Sequence, residues 1–179
     1  MNKKNTGGLI HIYEGDGKGK TSAGVGLSVR CAGSGQRVIY TQFLKDNLSS
    51  ELNVLKQIEN IHLIPCEKSF GFTFAMTPQQ KEEATQYYTD HLKKVIETAI
   101  KEQCRLIVLD EIIASYNLNM IKQEDLISFL KNKPQEMEVV MTGRDPAEEL
   151  VELADYVSRI VKVKHPFDQG IPARKGIEN

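Results

Sequence analysis

Residues Ile12 to Gly24 read IYEGDGKGKTSAG, and this stretch decides the fold. A short β-like run, LIHIY (9–13), gives way to a turn with glycine at positions 15, 17 and 19, and then to a helical pattern from about Gly19 that carries Lys20-Thr21. A strand, a glycine-rich turn and a helix N-terminus gather several backbone N–H groups around one point, where the helix dipole favours negative charge. That is an anion cradle. Gly15, Gly17 and Gly19 permit the backbone angles and close approach it needs, Lys20 brings charge to phosphates, and the Thr21 hydroxyl is placed to ligate Mg²⁺. The spacing is one residue short of the common phosphate-loop pattern: three residues, not four, separate Gly15 from Gly19-Lys20-Thr21.

Beyond the loop, short β-like runs alternate with helical patterns: RVIYTQF (37–43), IHLIP (61–65), RLIVLD (105–110), EVVMTG (138–143) and VSRIVKV (157–163). With the loop, this rhythm predicts an α/β fold of three layers, P-loop NTPase-like (RecA-like), with a mainly parallel sheet flanked by helices. Two helix starts are marked. Thr77-Pro78-Gln79-Gln80 combines a capping residue, a first-turn proline and a capping-box glutamine, and Ala84, Tyr88, Leu92, Val95 and Ala99 follow at helical spacing. Asp145-Pro146-Ala147-Glu148 repeats the device before Leu150, Leu153 and Ala154. These apolar positions, with Tyr87, read as core.

Length fits one domain over residues 1–179, without repeats or linkers. The 23 basic and 24 acidic residues nearly cancel, so no strong field points to nucleic acid or an anionic membrane as partner. Cys31, Cys66 and Cys104 are an odd, scattered set that suggests neither zinc nor a disulfide framework, which fits a reducing cytoplasm. The opening MNKKNTGGLI is too short and too polar for a signal peptide, and no apolar run reaches membrane-spanning length.

RLIVLDEI is the expected counterpart of the loop: a buried strand delivering Asp110 and Glu111 at the sheet edge where ligands collect. One carboxylate can hold Mg²⁺ and the other orient its shell. Arg144, after another strand at the same edge, can reach a polyphosphate, although a surface pair with Asp145 or Glu148 explains it equally. Arg30 reads as a charge near a helix C-terminus. Phe72 and Phe74, by residue type, read as core. A phosphate loop names a nucleotide and not a reaction, and no histidine sits in a motif with an obvious base role. The residues alone leave open a P-loop ATPase, a small-molecule kinase, or a module that binds nucleotide without turnover.

GFTF (71–74) and KVKHPFDQGIPARKGIE (162–178), together with GDGKGKTSAG, VLDEI and TGRDPAEELVELAD, closely resemble the P-loop ATP:corrinoid adenosyltransferases. The resemblance runs in order from about residue 8 to the C-terminus, and the shortened loop is part of it. It implies transfer of the 5′-deoxyadenosyl group of ATP to the Co(I) of a reduced cobalamin, cobinamide or cobyrinic acid a,c-diamide, with release of triphosphate. Cobalt is then the nucleophile, so no hydroxyl has to lose a proton.

The resemblance further implies roles. Gly15, Asp16, Gly17, Lys18, Gly19, Lys20 and Thr21 form the phosphate loop, Arg30 and Arg144 are further ATP contacts, and Thr21 and Glu111 hold Mg²⁺ or Mn²⁺. Lys20 and Glu111, with Phe72 and Phe74 against the lower face of the corrinoid, make up the implied catalytic set. Members of the family often carry tryptophan where Phe74 stands. Some also have a longer N-terminal segment over the site, whereas here the first strand begins within about ten residues of Met1. A reduced flavoprotein as electron donor and a homodimer are the implied partners. The tail reads equally as part of the site or as an arm in a dimer.

Overall fold

A computed structural model describes residues 7–71 and 73–178. Among the described residues six strands form one sheet: β1 (Ile10–Glu14), β2 (Val38–Gln42), β3 (Ile61–Leu63), β4 (Leu106–Asp110), β5 (Glu138–Gly143) and β6 (Tyr156–Arg159). Every pairing is parallel, in the order β3-β2-β4-β5-β1-β6. The strand of the phosphate loop is therefore separated from the strand bearing Asp110 by β5.

Side chains alternate between faces along each strand, so parity decides what each residue meets. Ile107 and Leu109 of β4, Val139 and Met141 of β5, and Ile39 of β2 pack under α3 (Pro78–Lys101), α4 (Ile112–Asn117), α5 (Gln123–Asn132) and α6 (Glu148–Leu153). Leu106, Val108, Val140, Val38 and Tyr40 face α1 (Lys20–Gly33) and the short α2 (Leu52–Leu55). Lys20, Gly24, Ser28 and Ala32, spaced by four, form the buried stripe of α1. Small residues let the helix lie close: a Cβ added to Gly24 would stand 3.3 Å from the Val108 side chain.

Helix α3 starts as expected. Thr77 Oγ1 accepts the Gln80 N–H at 3.2 Å and Gln80 Oε1 accepts the Thr77 N–H at 2.8 Å, a complete capping box. Ala84, Tyr88, Leu92, Val95 and Ala99 are all buried. Thr77→Ala is expected to lower stability by about 1 kcal/mol, measured by urea unfolding.

Two expectations are corrected. Asp145 does not cap α6; it adopts φ 50°, and the helix begins at Glu148 after Ala147, which makes no side-chain cap bond. A capping residue needs an extended backbone, as Thr77 has at φ −67° and ψ 161°; the left-handed angle at Asp145 does not supply it, and Ala147, at φ −57° and ψ 146°, takes the position before the helix instead. The strand expected over 157–163 ends at Arg159, because the next residues turn to the phosphate loop: Ile160 O accepts the Gly17 N–H at 2.8 Å, and the Lys162 N–H donates to Asp16 Oδ1 at 2.9 Å. The three cysteines are free, and burial pushes the thiols of Cys66 and Cys104 up to about 12 and about 11. Among the described residues no helix is long and apolar enough to cross a membrane.

Candidate active site

The carboxyl ends of the central strands bring one row of polar residues to the α1 face. Gln42 lies opposite Asp110 in the β2–β4 register, and Thr142 follows one residue after the Leu109–Met141 pair of β4 and β5. Asp110 is completely buried. Its Oδ1 accepts from Thr142 Oγ1 at 2.6 Å and from Thr21 Oγ1 at 3.0 Å. Its Oδ2 accepts from Gln42 Nε2 at 3.1 Å and from Lys45 Nζ at 2.8 Å. A buried carboxylate costs several kcal/mol unless it is paired and hydrogen-bonded, and these four donors meet that cost.

Parity puts Asp110 under Thr21, and the following Glu111 is turned elsewhere. Glu111 has left-handed backbone angles, φ 61° and ψ 19°, which residues with a side chain seldom adopt. Its N–H is held by Thr142 Oγ1 at 2.9 Å. Its carboxyl lines the cavity described below, where burial, and then the neighbouring Asp110 charge, raise its pKa. Lys45, Lys20 and Arg144 act in the opposite direction. Of the two acids, Asp110 thus orients Thr21, while Glu111 faces the open space.

The phosphate loop has the expected form. Gly19 precedes α1 at φ 131° and no side chain caps the helix, which leaves first-turn N–H groups to a ligand. Lys20 Nζ donates to the Gly17 carbonyl at 2.9 Å. Burial, and then the nearby Arg144 cation, lower the Lys20 pKa, so a positive charge is held where an anion would stabilise it. Asp16 is held below the usual carboxylate range, chiefly by the Lys162 N–H.

The loop opens into a cavity of about 730 Å³. Residues 16–22 form its floor, and Glu111 and Arg144 also line it. A second wall follows β2, with Lys45, residues 49–51 and Val54. The third is the C-terminal tail, including His165, Phe167, Ile171 and Arg174. Glu178 ties this tail to the loop through Lys18 at 3.1 Å and to Arg174 at 2.8 Å. Hydrogen bonds from Arg174 are the main reason the Glu178 carboxyl is held low.

Most of the expected site residues therefore meet at one cavity, with three exceptions among those described, the first being Gly15, which shapes the turn without lining the cavity. Arg30, implied as an ATP contact, does not line it; it lies in the last turn of α1, ten residues and about 15 Å beyond Lys20, as a helix C-terminal charge. Phe74 does not line it either. It follows the carboxyl end of β3 in a single 3₁₀ turn (Thr73–Ala75), and at 85% exposure it is not the core residue its type suggests. Phe72 lies outside the described residues. Lys45, Gln42 and Thr142 were not singled out in the sequence. A lysine just past a buried strand, at the sheet edge where ligands gather, was the available signal.

Thr21 Oγ1 and the two carboxylates are hard oxygen donors, the kind that suits Mg²⁺ or Mn²⁺. No cluster of three or more His, Cys, Asp or Glu fit for a metal is found among the described residues. Few protein ligands, with phosphate oxygens completing the shell, is the usual pattern for Mg²⁺.

The fold is shared with a KaiC-like protein of Pyrococcus horikoshii, which superimposes with a TM-score of 0.53 at 13% identity, over 87% of this chain and 73% of that one. In sequence, the corrinoid adenosyltransferase of Escherichia coli K12 is 30% identical over 174 residues, 96% of this chain and 85% of the relative. That of Salmonella typhimurium LT2 is 31% identical over the same shares. The model of the family described as ATP:corrinoid adenosyltransferase BtuR/CobO/CobP matches residues 6–179. Matched along its whole described length and carrying the glycine-rich loop and Glu111 at one cavity, this chain belongs to the ATP:corrinoid adenosyltransferase family.

Proposed function

We propose that the chain, as a single domain, transfers the 5′-deoxyadenosyl group of ATP to the Co(I) of a reduced corrinoid. The acceptor is cobalamin, cobinamide or cobyrinic acid a,c-diamide. Membership of the family carries this reading. In the step, the Co(I) electron pair attacks the ribose 5′ carbon, the C5′–O5′ bond breaks, and its electrons leave on triphosphate as cobalt becomes Co(III).

The protein's tasks are alignment and stabilisation of the leaving group. The loop amides, Lys20 and Arg144 are suited to the second. Thr21 and Glu111 would hold Mg²⁺, with Asp110 orienting Thr21. When bound, the ion neutralises charge on the departing triphosphate. The histidines support a reaction that needs no base. Of the four, only His165 lines the cavity, and its Nδ1 accepts the Phe167 N–H at 3.2 Å. Phe72 and Phe74 would cover the lower face of the corrinoid and exclude an axial ligand, which eases reduction to Co(I). A reduced flavoprotein as donor, a homodimer and a cytoplasmic setting complete the proposal.

Glu111, with its raised pKa, is the residue here suited to activating water, so ATP hydrolysis is the second reading. The test is an anaerobic reaction of the protein with chemically reduced cob(I)alamin, Mg²⁺ and ATP. Adenosylcobalamin with intact triphosphate is the expected product; ADP and phosphate without a cobalt–carbon bond would establish hydrolysis. Phe74→Ala is expected to slow reactions begun from Co(II) several-fold more than those begun from pre-reduced Co(I). Equal losses would refute the axial-ligand role.

A further inference from the structure

Lys45 stands where the cation of this site belongs. Thr21 Oγ1 spends its proton on Asp110, at 3.0 Å from Oδ1 and 3.3 Å from Oδ2, so toward any other partner it is an acceptor. Lys45 Nζ donates to that oxygen at 3.3 Å while it pairs with Asp110 Oδ2 at 2.8 Å. Asp110 also takes neutral donors from Thr21, Thr142 and Gln42, each set in a strand or helix. Lys45 differs from these three in two respects: it is a cation, and it stands past the end of β2 on a flexible four-carbon stem with its side chain 26% exposed.

We propose that Lys45 is a resident counter-cation. Its ammonium neutralises the buried Asp110 and occupies the Thr21 hydroxyl until a divalent cation arrives with the nucleotide, and it then swings from that oxygen to the triphosphate. This rests on the reading of Thr21 as a metal ligand. An ammonium and a divalent cation on one hydroxyl oxygen repel strongly at such short range, so one must leave. The stem gives the ammonium somewhere to go, because Lys45 lines the same cavity as Lys20 and Arg144. The exchange keeps Asp110 compensated throughout. It also makes metal binding weaker in the absence of nucleotide than in its presence, since the triphosphate offers the displaced lysine a new, highly charged partner.

The experiment counts bound Mn²⁺ by electron paramagnetic resonance, with and without ATP, in the unmodified protein, Lys45→Met and Lys45→Gln. The glutamine variant retains an N–H donor for Asp110 should the methionine variant fold poorly; thermal melts check both. Removing the ammonium is expected to tighten Mn²⁺ binding without nucleotide by about tenfold or more, and to weaken ATP binding at saturating Mn²⁺ by a similar factor. Thr21→Val is the companion variant. If it loses Mn²⁺ binding while the Lys45 variants bind the ion unchanged, the metal site stands and the counter-cation is overturned. If Thr21→Val also binds Mn²⁺ unchanged, the metal reading fails, and the exchange with it.

Discussion

Lys20→Ala is expected to abolish adenosyl transfer, with a fall in kcat/KM of at least on the order of 10³-fold, while the fold stays intact. The size follows from where charge develops. As the bond between the 5′ carbon and the triphosphate breaks, negative charge collects on the leaving group, and a preorganised cation at the loop acts on that charge and not on the reacting carbon. Lys20 is already in place: it is nine-tenths buried and bonded to the Gly17 carbonyl at 2.9 Å. Its burial lowers its pKa, so removing the ammonium relieves a cost in the free protein. The variant should therefore melt no lower than the parent. Transfer is measured from pre-reduced cob(I)alamin, which separates the alkylation from cobalt reduction. Near-normal activity would remove the loop from the mechanism, and a collapsed melting profile would assign Lys20 to folding instead.

Gly15→Ala is expected to damage stability and site together. Gly15 has φ +118°, a backbone conformation that L residues rarely adopt, and a Cβ there would stand 2.4 Å from the carbonyl oxygen of Ile160. That oxygen belongs to backbone, so no side-chain rotation can clear the overlap. Nor is the segment free to retreat, since Ile160 O accepts the Gly17 N–H at 2.8 Å and Ile160 N–H donates to Glu14 O at 2.8 Å. Strain of this kind costs about 1–3 kcal/mol, and relief by moving the loop displaces the amides that would hold phosphate. The expected result is a loss of about 2 kcal/mol by urea unfolding and at least tenfold weaker ATP binding. Gly26→Ala is the internal comparison. It lies within α1 with nothing within 4 Å of an added Cβ, so the gain in helix propensity should stabilise by about 1 kcal/mol. Parent-like stability of Gly15→Ala would show that the loop is not locked against the end of β6.

Much of the site was legible because it is local. The run from Ile12 to Thr21 carries the strand, the turn and the helix start in one piece, and the structure keeps that order, with α1 starting at Lys20, one residue after the start expected near Gly19. Thr77 through Gln80 was legible for the same reason, since a capping box needs only four consecutive residues. Asp145 misled because a capping side chain before a proline caps only from an extended backbone, which Thr77 has and the left-handed Asp145 does not. The division of labour between Asp110 and Glu111 was half legible. The pair was evident, but which acid meets Thr21 depends on the face to which β4 turns each residue and on the left-handed angles at Glu111.

By itself, the sequence determined the phosphate loop, the α/β alternation, the buried faces of the helices and, through motifs in a set order, the family. The first three follow from periodicity and from the conformational limits of glycine and proline, which act over a few residues, whereas the family was read from the resemblance of its motifs. The tertiary structure alone decided that Gln42, Lys45 and Thr142 gather on Asp110, and that the tail returns 160 residues along the chain for Glu178 to pair with Lys18. Such meetings depend on strand order and register, which are settled by the packing of the whole sheet, and no short stretch of residues contains that information.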